Sequence, residues 1–339
     1  MSVRAWAPGR VNLIGDHTDH TGGLVLPMAI DLGTAVTGQR GGHIVRLTSA
    51  TEPEPAEVDL DVVEPATVRP PWARYVAGVV SELRPASGFT GEVDTTLPIG
   101  AGLSSSAALE VAVALALGFE GEPLELARLC QRAEQRASGV PCGIMDQLTS
   151  VAGIPGHALR IDCRTLDVRP VAIPADVEVV VIDSGQRRQL ADSSYAERAA
   201  SCQAAMAAIG PLTTATLDDL SRIEDPIVRR RARHVITENQ RVDTLAAFLS
   251  SGDRTGIGEA MAASQASLRD DFEVSTPVLD ELVATLSSTD GVIGARLTGA
   301  GFGGCAVALV ERGAPIELEQ RVWRVRSAAG AVVETTPAT

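Results

Sequence analysis

The segment LPIGAGLSSSAALEVAVALAL, residues 97–117, decides the fold expected for this chain. It follows a strand-like stretch, residues 91–97, and has glycines at positions 100 and 102, where the backbone is free to adopt conformations that other residues rarely reach. Three serines come next, and then a run of good helix formers without glycine or proline before Gly118. We therefore predict a strand, a glycine turn and the beginning of a helix.

The beginning of such a helix is a place where anions bind. Several backbone N–H groups there have no partner within the helix, and they favour phosphate above all. The segment is not a P-loop, because no lysine follows its last glycine. The chain contains no lysine, so its 29 basic residues are all arginines, and a phosphate site would depend on backbone amides, hydroxyl groups, arginine and metal. Taken alone, the segment also fits an ordinary glycine turn before a serine-capped helix.

Length and charge limit the possible classes of protein. The chain has 339 residues, enough for two domains, and its charged fraction of 21% and hydrophobic fraction of 45% are typical of soluble globular proteins. The formal net charge of −14 argues against nonspecific binding to nucleic acid or to an anionic membrane. It is compatible with ATP, whose charge Mg²⁺ and a few arginines would balance locally.

Cysteine usage and hydropathy predict a cytoplasmic protein. The five cysteines are odd in number, widely spaced and never in a Cys-x-x-Cys pair, which favours reduced thiols over a zinc site or a disulfide framework. The first eight residues contain no long apolar stretch, so we expect no signal peptide. No apolar run reaches transmembrane length.

Apolar periodicity predicts a chain of mixed helices and strands. Strands are expected at 24–30, 34–39, 43–49, 91–97, 157–162, 177–184, 292–297 and 305–310, with a last one after residue 331. Helices are expected at 72–83, from 104, and at 123–137, 143–151, 193–209, 226–251, 256–268 and 277–287. Residues 51–71, rich in Pro, Glu and Asp, are predicted to form an exposed loop with at most one edge strand near Val58. Pro170 and Pro174 bracket a short spacer that we interpret as a domain boundary.

The first group of candidate functional residues lies in PGRVNLIGDHTDHTGG, residues 8–23. Short polar side chains stand between its glycines, and such side chains bind sugars because each sugar hydroxyl needs a donor and an acceptor. Two His and two Asp are also compatible with a metal site. Because Asp, Asn, Thr and Gly are common turn residues, a solvated turn is the third interpretation.

Three further groups follow along the chain. Glu134 lies on a predicted helix and Asp146 near the start of the next one, which makes them a candidate hard-cation ligand and a candidate base for a hydroxyl. An aspartate in a first helical turn also serves simply to stabilise the helix dipole. The segments DSGQRRQLADSSY, 183–195, and LTGAGFGGC, 297–305, are either ordinary surface turns or places where backbone closely approaches a ligand.

Taken together, in this order and spacing, these segments resemble the galactokinase family of the GHMP kinase superfamily. GRVNLIGDHTD at 9–19 is similar to the galactokinase signature, residues 98–107 to the superfamily phosphate loop, and residues 298–305 to its third motif. GIMDQ at 143–147 and the stretch 187–195 are also galactokinase-like. The matches extend from residue 8 to residue 305.

The resemblance implies a two-domain α+β GHMP kinase fold with the active site in the cleft between the domains. The amino-terminal domain would be residues 1–172, and a ferredoxin-like carboxy-terminal domain would be residues 173–339. The implied reaction is the Mg²⁺- and ATP-dependent phosphorylation of the C1 hydroxyl of α-D-galactose by a monomer. Alternatives are a related kinase for arabinose, N-acetylgalactosamine or galacturonate, and a non-catalytic sugar and ATP sensor.

The resemblance also implies roles for individual residues. Asp146 would take the proton from the C1 hydroxyl, with Arg10 beside it and Arg187 as a second helper. The sugar pocket would be lined by Arg10, Asp16, His17, Asp19, Gly143 and Tyr195. Trp72 and Tyr75 would border the adenine, and the phosphates would lie against Gly100, Ala101, Gly102, Leu103, Ser104, Ser105 and Ser106. Ser106 and Glu134 would hold Mg²⁺.

Two departures from the family pattern concern the sugar. The family usually has Glu at the position of Asp16, which is similar to the position that contacts the sugar O6. His20 replaces the usual Tyr. A carboxylate at Asp16 would repel galacturonate, whereas a shorter side chain would leave room for larger or absent C6 groups.

Overall fold

The computed structural model describes residues 2–186 and 191–336. Its strands, numbered in chain order from β1 to β13, are Ser2–Asn12, Leu24–Val25, Pro27–Arg40, Ile44–Ser49, Glu52–Asp59, Phe89–Thr95, His157–Asp162, Asp167–Ala172, Val177–Asp183, Val292–Thr298, Cys305–Glu311, Val322–Val325 and Val332–Thr336. Its helices α1 to α8 are Ala73–Leu83, Ser105–Ala116, Pro123–Ser138, Met145–Ala152, Ala191–Ile209, Pro226–Ser251, Arg254–Asp270 and Pro277–Ser287. The predicted helices are all present, with ends within two residues of the expected ones.

The largest sheet has the strand order β13-β1-β3-β6-β4-β5. Its neighbouring strands are antiparallel except β4 and β6, which are parallel. The last strand, β13, pairs with β1, so both ends of the described chain meet in this sheet. The predicted boundary between residues 172 and 173 stays a prediction.

Helix α2, which follows the glycine turn, is central to the first half of the chain. It packs against β1, β3, α1 and α3, and eight of its twelve residues are buried while the other four are partly buried. A helix that is apolar on every side is stable only inside a core. Its burial holds the amino-terminal end in one place, at the edge of a large cleft. The predicted strand, glycine turn and helix are confirmed.

The second half of the chain contains a four-stranded antiparallel sheet with the order β10-β11-β9-β12. Val180 and Ile182 of β9 belong to one apolar cluster with α8, and Val179 and Val181 belong to another. Both faces of β9 are therefore buried, as its continuous apolar sequence predicts. A third, three-stranded sheet has the order β2-β7-β8.

One prediction about the first sheet is confirmed and another needs correction. The edge strand expected near Val58, within residues 51–71, is present as β5, in which Ala56 and Val58 are buried. Its prolines are tolerated because it is an edge strand and needs fewer backbone donors. The expected break at Gly33 is absent, because β3 continues through it. A side chain at Gly33 would lie 2.5 Å from Ala7 O and 2.7 Å from the Trp6 ring, so close packing, rather than a turn, requires this glycine.

Within residues 2–186 and 191–336, no helix combines the length and the apolar character that crossing a membrane requires.

Candidate active site

A cleft of about 480 Å³ collects most of the predicted site residues. Those that line it are Arg10, Asp16, His17, Asp19, Trp72, Tyr75, Gly100, Gly102, Ser104, Ser105, Ser106, Glu134, Gly143, Asp146 and Tyr195. Gly299 and Ala300, from the carboxy-terminal glycine-rich turn, complete the wall. The side chains of Ala101 and Leu103 are instead buried in the core. Arg187 lies outside the described residues.

Asp146 is held in a fixed orientation on the floor of the cleft. Arg10 Nε and Nη2 donate to Asp146 Oδ1 and Oδ2 at 2.7 and 2.8 Å, a bidentate charge-assisted pair. Ser104 Oγ donates to Asp146 Oδ2 at 2.5 Å. The Asp146 side chain is still 25% exposed, so its carboxylate can receive a proton from a hydroxyl in the cleft.

The glycine turn that precedes α2 has the backbone expected of an anion-binding loop. Gly100 and Gly102 have positive φ angles of 74° and 82°, which are unfavourable for other residues. Ser104 is also left-handed, with φ 58°, and this conformation presents its hydroxyl to Asp146. Arg10 Nη1 donates to Gly102 O at 2.6 Å, so a single arginine connects the turn to the carboxylate.

Beside the turn, a hydroxyl and a carboxylate form a pair suited to a hard cation. Ser106 Oγ donates to Glu134 Oε1 at 2.8 Å, and Gln147 Nε2 donates to Glu134 Oε2 at 2.5 Å. Burial, with the nearby charge of Asp146, raises the pKa of Glu134. No group of three or more His, Cys, Asp or Glu suited to a metal occurs in the described part of the chain. A hydroxyl and a carboxylate side by side fit Mg²⁺, which typically takes one or two carboxylates and completes its shell with phosphate and water.

The opposite end of the cleft is formed by the signature loop, residues 13–23. The ring of His17 packs against the ring of Phe272, with their centroids 4.6 Å apart. The centroid of the Tyr195 ring lies 5.6 Å from that of His17. Burial and the neighbouring histidines lower the pKa of His17 well below its usual range, so the ring is neutral. Its Nε2 donates to Ala300 O at 3.2 Å, which leaves Nδ1 as an acceptor without a partner among the described residues. A sugar hydroxyl would supply the missing donor.

Asp19 and Gly143 are in such close contact that any side chain at position 143 would displace Asp19. A Cβ added there would collide with the Asp19 carboxylate. We expect Gly143→Ala to displace this carboxylate and to raise the KM for the sugar about 10- to 100-fold, the value of one hydrogen bond to a charged group. Steady-state kinetics would measure the change. If displacement of Asp19 is the cause, adding Gly143→Ala to Asp19→Asn costs little more than Asp19→Asn alone.

His20 carries a positive charge behind Asp19. Burial alone would lower its pKa, but the Asp19 carboxylate, 3.6 Å from Nδ1, and Cys202 outweigh burial and raise the pKa to about 9. The folded protein therefore binds this proton more tightly than the unfolded chain, in which a histidine titrates near 6.5.

The resulting stabilisation is complete below about pH 6.5 and is lost as the pH rises through 9. We expect it to amount to about 3 kcal/mol. Urea unfolding of the wild type and of His20→Gln between pH 6 and 10 tests this. The difference in free energy of unfolding between the two proteins should shrink across that range, and a constant difference would contradict the assigned charge.

The structure places Asp16 at the inner wall of the cleft, where one carboxylate oxygen accepts a hydrogen bond and the other lies in an ion pair. Gly299 N donates to Asp16 Oδ1 at 2.8 Å, and Arg296 Nη2 lies 2.6 Å from Asp16 Oδ2. Burial raises the pKa of Asp16, and Arg296 opposes this shift. Arg296 is not among the residues predicted from sequence, although an arginine in the apolar strand 292–297 is a signal of a buried charge.

The nucleotide end of the cleft also contains residues that the sequence analysis missed. Besides Trp72 and Tyr75, the lining includes Ser49 at the end of β4, Thr51 in the following turn and Glu52 at the start of β5. Thr51 and Glu52 lie in the segment predicted to be an exposed loop, whereas Ser49 is the last residue of the predicted strand 43–49. The pairing of β5 with β4 brings them to the cleft.

Comparison with known proteins agrees with this arrangement. Three family models match: the galactokinase galactose-binding signature at residues 3–40, the GHMP kinase N-terminal domain at 74–154 and the GHMP kinase C-terminal domain at 244–325. A galactokinase of Roseiflexus sp. is 47% identical over 328 residues, which cover 90% of this chain and 83% of the relative. The human galactokinase is 43% identical, with coverages of 91% and 83%.

The chain belongs to the galactokinase family. It is therefore a sugar kinase with the α+β fold of GHMP kinases. A crystal structure of Lactococcus lactis galactokinase complexed with galactose superposes with a TM-score of 0.90 at 32% identity, and the match covers 98% of this chain and 95% of that one. A mevalonate kinase structure, at 19% identity and a TM-score of 0.69, shares the fold.

Proposed function

We propose that this galactokinase family member transfers the γ-phosphoryl group of ATP to the C1 hydroxyl of α-D-galactose, with Mg²⁺ as cofactor. The observation that carries the proposal is the position of Asp146 in a single cleft. The same cleft is lined by residues of the signature loop and of the glycine turn before α2. The family relationship and the galactose in the Lactococcus lactis structure support this substrate.

In the proposed mechanism, Asp146 accepts the proton of the C1 hydroxyl as the phosphoryl group is transferred. Arg10 orients the carboxylate through its two hydrogen bonds and brings positive charge close to the transferring group. Phosphoryl transfer depends mainly on positioning and on charge stabilisation, which backbone amides of the turn and Arg10 provide. Mg²⁺, held by Ser106 and Glu134, would neutralise charge on the phosphate oxygens.

The function is tested by coupled ADP release with Mg·ATP and a panel of sugars: galactose, arabinose, N-acetylgalactosamine, galacturonate, glucose and 2-deoxygalactose. Galactose should give by far the highest kcat/KM. A higher value for another sugar would keep the kinase chemistry but assign a different substrate. Binding of galactose and ATP without turnover would favour a sensor. We also propose that the protein acts in the cytoplasm as a monomer, which size-exclusion chromatography tests in part.

The metal assignment predicts the effect of Glu134→Gln. Loss of the carboxylate charge should raise the Mg²⁺ concentration needed for half-maximal activity at least about 10-fold, with little change in the KM for the sugar. Titration of activity with Mg²⁺ at a fixed ATP concentration measures this half-maximal Mg²⁺ concentration. Glu120→Gln, at an exposed position with no hydrogen bond to the cleft, serves as the control and should titrate like the wild type. An unchanged Mg²⁺ requirement in Glu134→Gln would remove Glu134 from the metal site.

A further inference from the structure

The side-chain amide of Gln147 lies where three helices meet. Gln147 follows Asp146 on α4, yet its side chain is fully buried and does not line the cleft. Its Nε2 donates to Glu134 Oε2 on α3 at 2.5 Å and to Glu110 Oε2 on α2 at 3.3 Å. The two hydrogens of one NH₂ group are thus directed to two carboxyl groups. Because Gln147 is out of reach of a substrate, any effect on the reaction must pass through these neighbours.

Glu110 fixes the orientation of this amide. Its side chain is fully buried, on a helix that packs against both α3 and α4. Within residues 2–186 and 191–336, Gln147 is the one donor that reaches it, because Oε2 accepts from the amide and Oε1 has no partner. If the amide turned its oxygen to the two carboxyl groups, acceptors would face acceptors and two hydrogen bonds would be lost. The NH₂ group is therefore held toward Glu134.

This contact makes the two oxygens of the Glu134 carboxylate different. Oε2 accepts from Gln147, whereas Oε1 accepts from Ser106 Oγ, the hydroxyl with which Glu134 would hold Mg²⁺. A cation bound by both oxygens would compete with the amide for Oε2. Mg²⁺ is small and strictly octahedral, whereas the larger Ca²⁺ takes more ligands and often binds both oxygens of one carboxylate. The amide should therefore hinder Ca²⁺ more than Mg²⁺.

Building on the proposed function, we propose that Gln147 is a positioning residue that restricts Glu134 to binding the divalent cation through Oε1, and that it thereby favours Mg²⁺ over Ca²⁺. Gln147 acts on the metal only through Glu134 and touches neither the sugar nor the phosphates. It belongs to the segment GIMDQ, in which the preceding residue is the proposed base.

The test compares the two cations by nucleotide binding, without turnover. Titration calorimetry measures the Kd of the non-hydrolysable analogue β,γ-imido-ATP for the wild type and for Gln147→Met, with Mg²⁺ or Ca²⁺ in excess. Methionine is of similar length but offers no donor. We expect the Kd with Mg²⁺ to rise about 10-fold, the usual effect of losing a hydrogen bond to a metal ligand. The Kd with Ca²⁺ should stay within about twofold, because Oε2 becomes available to it, so the preference for Mg²⁺ falls at least about fivefold.

Thr149→Val is the matched control. Thr149 is also fully buried on α4, and its Oγ1 donates to Met145 O at 2.6 Å, so the substitution removes a buried hydrogen bond from the same helix without affecting a bond to Glu134. It should keep the wild-type ratio of the two Kd values. An unchanged ratio in Gln147→Met, whether both Kd values rise equally or neither rises, would overturn the proposal, because the amide would then serve only the packing of α4.

Glu134→Gln distinguishes this proposal from the proposed function. If the amide acts through Glu134, adding Gln147→Met to Glu134→Gln should change the ratio of the Kd values by less than about twofold. A further loss as large as that in the wild-type background would contradict the proposal. If Glu134→Gln alone leaves nucleotide binding with Mg²⁺ unchanged, the metal assignment fails and the proposal with it. Absence of galactose turnover in the wild type would contradict the proposed function alone, since the binding measurement uses no sugar.

A double variant covers the case in which Gln147→Met folds poorly. The single substitution leaves the buried Glu110 carboxyl without a donor, which is unfavourable. Glu110→Leu/Gln147→Met removes that acceptor as well and fills the space with apolar atoms, and circular dichroism checks its fold. This variant should also lose at least about fivefold in preference for Mg²⁺ over Ca²⁺. A wild-type preference in the folded double variant would overturn the proposal.

Discussion

Asp146→Asn is expected to lower kcat about 10²- to 10⁴-fold, the usual contribution of a general base. The amide cannot accept the proton of the C1 hydroxyl. Its NH₂ group would also face a donor, because Arg10 and Ser104 both donate to the carboxylate oxygens. ATP and galactose should still bind, since Asp146 is one contact among many in the cleft. Rapid-quench kinetics and titration calorimetry would separate turnover from binding.

Two further variants make the Asp146 result interpretable. Asp146→Ala removes the carboxylate without placing an NH₂ group against Arg10, so a similar loss in both variants attributes the effect to the missing base. Asp59→Asn, at an exposed position of β5, is the matched control and should keep wild-type kcat. Wild-type turnover by either Asp146 variant would exclude Asp146 as the base.

Arg296→Met is expected to destabilise the protein by about 3–5 kcal/mol, the cost of breaking a buried ion pair from one side. The substitution leaves two buried carboxylates, Asp16 and Glu238, without the cation between them. The Leu13 carbonyl also loses its donor. Urea unfolding at pH 7 would measure the change in the free energy of unfolding.

The control for this prediction is an ion pair between an arginine and a glutamate on the surface. Arg46 pairs with Glu57 between β4 and β5, where the two side chains are 54% and 47% exposed. Because solvent screens such pairs, Arg46→Met should cost no more than about 1 kcal/mol. Similar losses for Arg46→Met and Arg296→Met would show that the buried network stabilises the fold no more than a surface ion pair.

The sequence predicts secondary structure correctly where neighbouring residues alone determine the backbone conformation. The turn at Gly100 and Gly102 and the helix after it follow from glycine conformations, helix propensity and an apolar run. The strand 177–183 follows from its continuous apolar sequence. Local reasoning failed where packing between distant segments overrides it. Gly33, for example, suggests a break but serves the contact with Trp6.

For the candidate site, too, some features follow from the sequence and others only from the tertiary structure. By itself, the sequence determined which residues could be functional: the signature loop, the glycine turn, Glu134 and Asp146 stand out by type and spacing, and together they predict the family. Only the tertiary structure decided what each one faces. Arg10 and Asp146 are 136 positions apart and meet because β1 and α4 pack together. The partner of Asp16 is 280 positions away on β10, since a side chain's role depends on the charges and donors that folding brings to it.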